Sequence, residues 1–110
     1  MWCGVWLGWG KVMDAENRTR VGSDQGWCTR TVAATAYECH WTLTLLGHTE
    51  IPDQLTVEGP FYDSAKPDGN VGSLAITGGT GRYAGARGWM GLYNRPAPTQ
   101  EYDFVYCLLE

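Results

Sequence analysis

The residues with chemical potential in this chain are a scatter of carboxylates, four cysteines, two histidines and many aromatic rings. Glu38, Glu58, Asp63, Glu101 and Asp103 fall in or beside segments patterned as strands, where a buried carboxylate can act as a general base. Glu58 follows Leu55 and Val57 in a two-residue period, which places it with Gln54 and Thr56 on the polar face. Cys3, Cys28, Cys39 and Cys107 are far apart, form no CxxC pair, and have only His40 and His48 for company, a pattern that does not build a zinc site. They are expected to be buried, reduced thiols acting as small apolar residues. Cys39 and His40 are adjacent and so face opposite sides of a strand, which prevents a thiol–imidazole pair.

With no metal cluster, nucleophile triad or phosphate loop, the remaining chemistry is that of an aromatic pocket. The chain has 6 Trp, 6 Tyr and 2 Phe, each able to bury roughly 150–250 Å². Alternation sorts them. From Tyr37 to Leu45 one face carries Tyr37, Cys39, Trp41, Leu43 and Leu45, and the other Glu38, His40, Thr42 and Thr44. The same logic turns Val5, Leu7 and Trp9 inward from the first strand and Met90 and Leu92 from the seventh. The last strand offers Tyr102, Phe104 and Tyr106 on one face and Val105 and Cys107 on the other, so that one side lines an interior while the other packs on a partner subunit. The candidate pocket lining is therefore Trp9, Tyr37, Cys39, Trp41, Met90, Leu92, Tyr102 and Phe104, with Trp2, Trp6 and Trp27 assigned to solid core.

These residues need strands to position them. Strand-like segments run over about 2–13, 19–25, 27–33, 37–46, 53–61, 71–77, 84–94 and 101–109, and no segment has the period of a long helix. The breaks have turn chemistry, including Gly26, Leu46-Gly47-His48, Ala65 to Asn70 and Asn94 to Pro98. Eight antiparallel strands in sequence order predict an all-β, up-and-down β-barrel, just wide enough to be filled by side chains or to hold one small ligand. The 110 residues make one domain, 1–110, whose small size favours sheet closure and a homo-oligomer, a dimer first. The net charge of −4 and the dispersed Lys and Arg argue against nucleic acid as a partner. The opening MWCGVWLGWG lacks a positive n-region, and no stretch reaches the ~20 apolar residues of a membrane span, so a cytoplasmic protein is expected. Asn17-Arg18-Thr19, formally a glycosylation sequon, reads as turn residues.

The run Leu74-Ala-Ile-Thr-Gly-Gly-Thr-Gly-Arg-Tyr-Ala-Gly-Ala-Arg-Gly88 joins a strand end, a turn and a glycine-studded second strand. Gly78, Gly79 and Gly81 are expected to supply positive φ angles for a tight hairpin, with Gly85, Gly88 and Gly91 inside the next strand. Its Gly79 to Ala84 portion matches a relaxed GxGxxA dinucleotide fingerprint, but no helix-period sequence follows, so the hairpin reading is preferred.

That run, with VGSDQGWCTR (Val21 to Arg30) before it and EYDFVY (Glu101 to Tyr106) after it, resembles the allene oxide cyclase and dirigent superfamily over nearly the whole chain. It is similar in flavour to bacterial members, which include small cyclases that close rings in spirotetronate polyketides. The resemblance implies a calycin-like allene oxide cyclase barrel and a cofactor-independent cyclase or isomerase for a hydrophobic natural-product intermediate, specifically an intramolecular [4+2] cycloaddition on a linear polyketide. It transfers no catalytic residue, since the buried glutamate of the allene oxide cyclases has no alignable counterpart. A dirigent-like or lipocalin-like binding protein for a small apolar ligand is the alternative. Relatives often carry residues before the first strand that cap the barrel; here the Phe61 to Asn70 loop is a candidate lid instead.

Overall fold

The computed structural model describes residues 2–9, 11–14, 18–32, 35–47, 50–62, 69–94 and 102–109, with positions 2, 6–9 and 11 described by their backbone alone. The chain is all-β. Its strands are β1 (Trp2–Trp9), β2 (Lys11–Met13), β3 (Arg20–Val32), β4 (Ala36–Leu45), β5 (Asp53–Tyr62), β6 (Asn70–Thr80), β7 (Arg87–Asn94) and β8 (Tyr102–Leu109), with a short 3-10 turn at Gly81–Tyr83. Each pairs antiparallel with the next in one curled sheet, and β1 also pairs with β8, from Trp2 opposite Leu108 to Gly8 opposite Tyr102.

Alternation explains why the sheet curls. In β4 the buried residues are Cys39, Trp41, Leu43 and Leu45, and in β5 they include Leu55 and Val57 between exposed or half-buried Gln54, Thr56 and Glu58. With one face apolar and no helix among the described residues long enough to cover it, the sheet buries that face by wrapping it round itself. The inner face collects Leu43, Leu55, Val57, Leu74, Ile76, Met90, Leu92, Phe104 and Tyr106 into one core cluster.

The strand divisions differ from those expected in three places. The predicted strand 2–13 is two strands that double back on each other, Leu7 opposite Met13. The predicted break at Gly26 is absent, because β3 runs through it. A Cβ at Gly26 would strike the His40 carbonyl oxygen and the Trp41 ring, and one at Gly22 would strike the Thr44 carbonyl oxygen, so these glycines serve close approach of β3 to β4 rather than a turn. Gly78 and Gly79 likewise lie within β6, and the connection to β7 is made by residues 81–86, where Gly81 and Gly85 have φ of 62° and 77°. Gly81 packs on the Asp53 carboxylate. Asp53, buried at the start of β5, accepts hydrogen bonds from the Arg82 backbone N–H at 2.9 Å and from Arg82 Nε at 3.0 Å. The backbone N–H foremost holds the Asp53 carboxyl below its ordinary range, burial opposes this, and the guanidinium adds to it.

Parity on β1 is the reverse of that expected. Val5 lies opposite Val105 on the outer face and is 39% exposed, while Gly4 lies opposite Tyr106, which is buried on the inner face. The side chains of Leu7 and Trp9 lie outside the described residues, as do those of Trp2 and Trp6. Trp27, expected in the core, is 59% exposed on the outer face and stacks on His40 at 6.0 Å between ring centroids.

The cysteines are not separate thiols. Cys3 and Cys107, opposite each other on β1 and β8, form one disulfide, and Cys28 and Cys39, opposite each other on β3 and β4, form the other. The sequence hid this because the partners become neighbours only through strand register. By the chain-entropy relation, Cys3–Cys107 with its separation of 104 residues stabilises by about 4.7 kcal/mol, against about 2.8 kcal/mol for Cys28–Cys39 with its separation of 11. Mass spectrometry without reductant is expected to find these four thiols oxidised, and thermal melts are expected to show a larger loss for the Cys3→Ser/Cys107→Ser pair than for Cys28→Ser/Cys39→Ser. Equal losses would contradict the loop-length argument.

Candidate functional site

One end of the curled sheet is built from aromatic rings. Tyr37 at the start of β4, Phe61 near the end of β5 and Tyr102 at the start of β8 are half-buried, and Trp41 lies deeper on β4, beyond Cys39 on the same face. Phe61 is the hub: its centroid is 5.9 Å from Tyr37, 6.5 Å from Trp41 and 6.0 Å from Tyr102, tilted to the first and edge-on to the other two. Such geometry sets the positive edge of one ring on the negative face of another and leaves an apolar wall with hydroxyls at its rim. Arg30, opposite Tyr37 on β3, donates from Nη2 to the Tyr37 hydroxyl at 3.0 Å and lies over the same ring at 5.4 Å. A hydroxyl that accepts from a guanidinium becomes a better donor through its own proton.

Of the residues expected to line a pocket, the structure brings Tyr37, Trp41 and Tyr102 together at this end. Cys39, Met90, Leu92 and Phe104 are on the same inner face but 1%, 1%, 0% and 3% exposed, so they pack the interior beneath the aromatic rings. Cys39 is in addition bonded to Cys28. Trp9 falls outside the described side chains, and of the candidate lid only Phe61, Tyr62, Gly69 and Asn70 are described. Phe61 belongs to the wall itself. Glu58 is exposed on the outer face, as its alternation requires, and Asp63 and Glu101 lie outside the described residues.

Two interior polar groups escaped the sequence reading. Asp24 lies opposite Leu43, which is buried on the inner face, so the half-buried carboxylate shares that face. Tyr106, fully buried on β8, feels its charge. Burial first and the Asp24 carboxylate second push the Tyr106 phenol well above its ordinary value of 10.0. The sequence carries no local signal for this, since a charged residue between glycines ordinarily marks a solvent face; the inward placement follows from register with β4, where Gly22, Asp24 and Gly26 lie opposite Leu45, Leu43 and Trp41. Among the described residues no group of three or more His, Cys, Asp or Glu is placed to hold a metal ion.

A cavity of about 390 Å³ opens at the other end of the sheet, lined by residues 82–86 with Leu108 and Leu109. Its charged group, Arg82, is already ion-paired with Asp53. The lining also holds the Tyr83 phenol, but the Arg82 guanidinium is committed to Asp53, whereas at the aromatic end Arg30 engages the Tyr37 hydroxyl itself, so the aromatic end is the stronger candidate.

No family model matches the chain, and it matches none of the curated proteins or solved structures with which it was compared.

Because the folded state holds the Tyr106 proton more tightly than the unfolded chain does, the stability this contributes is complete below pH 10.0 and is lost as pH rises toward the folded value. Phenolate absorbance is therefore expected to show one tyrosine that ionises only as the protein unfolds in alkali, and Tyr106→Phe should remove it and flatten the loss of stability above that pH. Titration of every tyrosine near its ordinary value would contradict the placement of Tyr106.

Proposed function

We propose that the chain is an up-and-down β-barrel of the calycin-like, allene oxide cyclase kind that works as a cofactor-independent cyclase on a small hydrophobic natural-product intermediate. The observation that carries this reading is the Phe61-centred aromatic wall with Tyr37 at its rim, its hydroxyl held by Arg30. Flat rings in edge-on contact suit a conjugated, unsaturated chain, and holding such a chain folded brings its reacting carbons together before the reaction begins. In an intramolecular [4+2] cycloaddition two carbon–carbon σ bonds form at the net expense of two π bonds. No atom enters or leaves, and no proton or electron must be supplied. The Tyr37 hydroxyl, polarised by Arg30, donates to a substrate carbonyl where negative charge grows as the ring closes. The linear polyketide as substrate rests on the resemblance to bacterial ring-forming barrels.

The second reading, a dirigent-like or lipocalin-like binder, is favoured by the filled interior, in which Met90, Leu92 and Phe104 leave the aromatic end as the place for a ligand. The disulfides support an oxidising compartment for the chain, since such bonds are rare in a reducing cytoplasm.

Titration with polyenes and fatty-acid-derived ligands, followed by tryptophan fluorescence and by mass spectrometry for isomerisation at unchanged mass, tests the proposal. Turnover is expected, with Tyr37→Phe lowering kcat by about 10²-fold and Phe61→Ala chiefly weakening binding. Saturable binding without turnover would replace the cyclase with the carrier, and altered product stereochemistry at unchanged rate with the dirigent.

A further inference from the structure

Among the described residues the pairing of β3 stops short on one side. Its partner β2 ends at Lys11 opposite Ser23, whereas β4 pairs with β3 as far as Val32. Residues 25–32 are all exposed, including Trp27 and Val32 at 59% and 55%. The Cα atoms of Cys28 and Cys39 are 4.0 Å apart, the close spacing of a pair that exchanges no backbone hydrogen bonds. Hence Asp24, Gly26, Cys28 and Arg30, which share that parity, turn their N–H and C=O groups away from β4 and toward the open edge. An edge of this length without Lys or Pro is a template for another strand.

We propose that this edge pairs with the same edge of a second copy, antiparallel about a two-fold axis at Trp27. A strand that meets itself must be antiparallel, and hydrogen-bonded pairs must join even-numbered residues to even-numbered residues. Centred on Trp27, the register sets Asp24 opposite the partner subunit's Arg30 and Gly26 opposite the partner subunit's Cys28, and the two-fold repeats both pairs. Opposite charges thus meet twice on one face, while Trp27 meets the partner subunit's Trp27 on the other, where the exposed ring is buried. Shifting the centre to Cys28 sets Asp24 opposite the partner subunit's Val32 and loses both ion pairs. Arg30 spends one donor on Tyr37 and keeps others for a carboxylate.

Sedimentation or light scattering of the oxidised full chain tests the pairing. The wild type is expected to be a dimer. Arg30→Asp sets two carboxylates against each other on both sides of the axis and should weaken the dimer by at least ~tenfold. The reversal Asp24→Arg combined with Arg30→Asp should restore it. Because Asp24 faces the interior, Trp27→Lys on the exposed face provides an independent variant, which should also dissociate the dimer while circular dichroism stays unchanged. A monomeric wild type would overturn the proposal and leave the edge for a foreign strand. A wild-type oligomer other than a dimer, or a dimer that survives either Arg30→Asp or Trp27→Lys, would overturn it too.

Discussion

A single sheet with one apolar face, and no covering helix among the described residues, must bury that face on itself, and the rest of this structure follows from that constraint. Burial alternates along β4 and β5 because only the concave side is dry. The same requirement fixes the register: a slip of one residue would turn Leu43, Leu55 and Val57 outward and Thr44, Thr56 and Glu58 inward. Curling brings β1 to β8, and there Cys3 and Cys107 lock the register covalently. The glycines in β3 follow from the same curvature, since β4 approaches closely enough that Cβ atoms at Gly22 and Gly26 would meet its backbone.

The polar chemistry is placed by the ends of this sheet. At one end the Asp53–Arg82 pair ties the start of β5 to the turn after β6, so a buried carboxylate organises the glycine-rich connection. At the other end the strands bring the Tyr37, Trp41 and Tyr102 rings to Phe61, with Arg30 at the rim. Between them lies a packed interior in which, among the described residues, Asp24 and Tyr106 place polar groups on the apolar face. A group of this kind in an apolar interior costs free energy unless it is compensated, so its retention in a small domain draws attention to the inner face between β3 and β8. The proposed activity assigns the aromatic end to the ligand and leaves the interior as its rigid support.

Much of this was legible in the sequence because period-two alternation is a local signal. The inner face of β4 reads directly from Tyr37, Cys39, Trp41, Leu43 and Leu45, and so do Met90 and Leu92 on β7. Glycine misled where it had two uses. At Gly26 and Gly79 the residue answers to crowding from another strand, which sequence does not display, while at Gly81 it answers to its own φ. The parity of β1 failed because Trp, Gly and Val alternate there without a polar face to orient them, and β8 across the seam decides it. Disulfide partners and the Asp24–Tyr106 relation are products of register between strands far apart in the chain. Trp27, expected in a solid aromatic core, lies instead on the outer face opposite His40, a placement that the register with β4 decides.

A crystal structure of the protein with a conjugated polyene bound tests most directly whether the aromatic end holds the ligand. Ligand density is expected against Phe61, between the Tyr37 and Tyr102 rings, with a polar oxygen of the ligand in hydrogen-bond reach of the Tyr37 hydroxyl. Density in the cavity beside Arg82 and Leu109, with the Phe61 cluster unchanged, would contradict it.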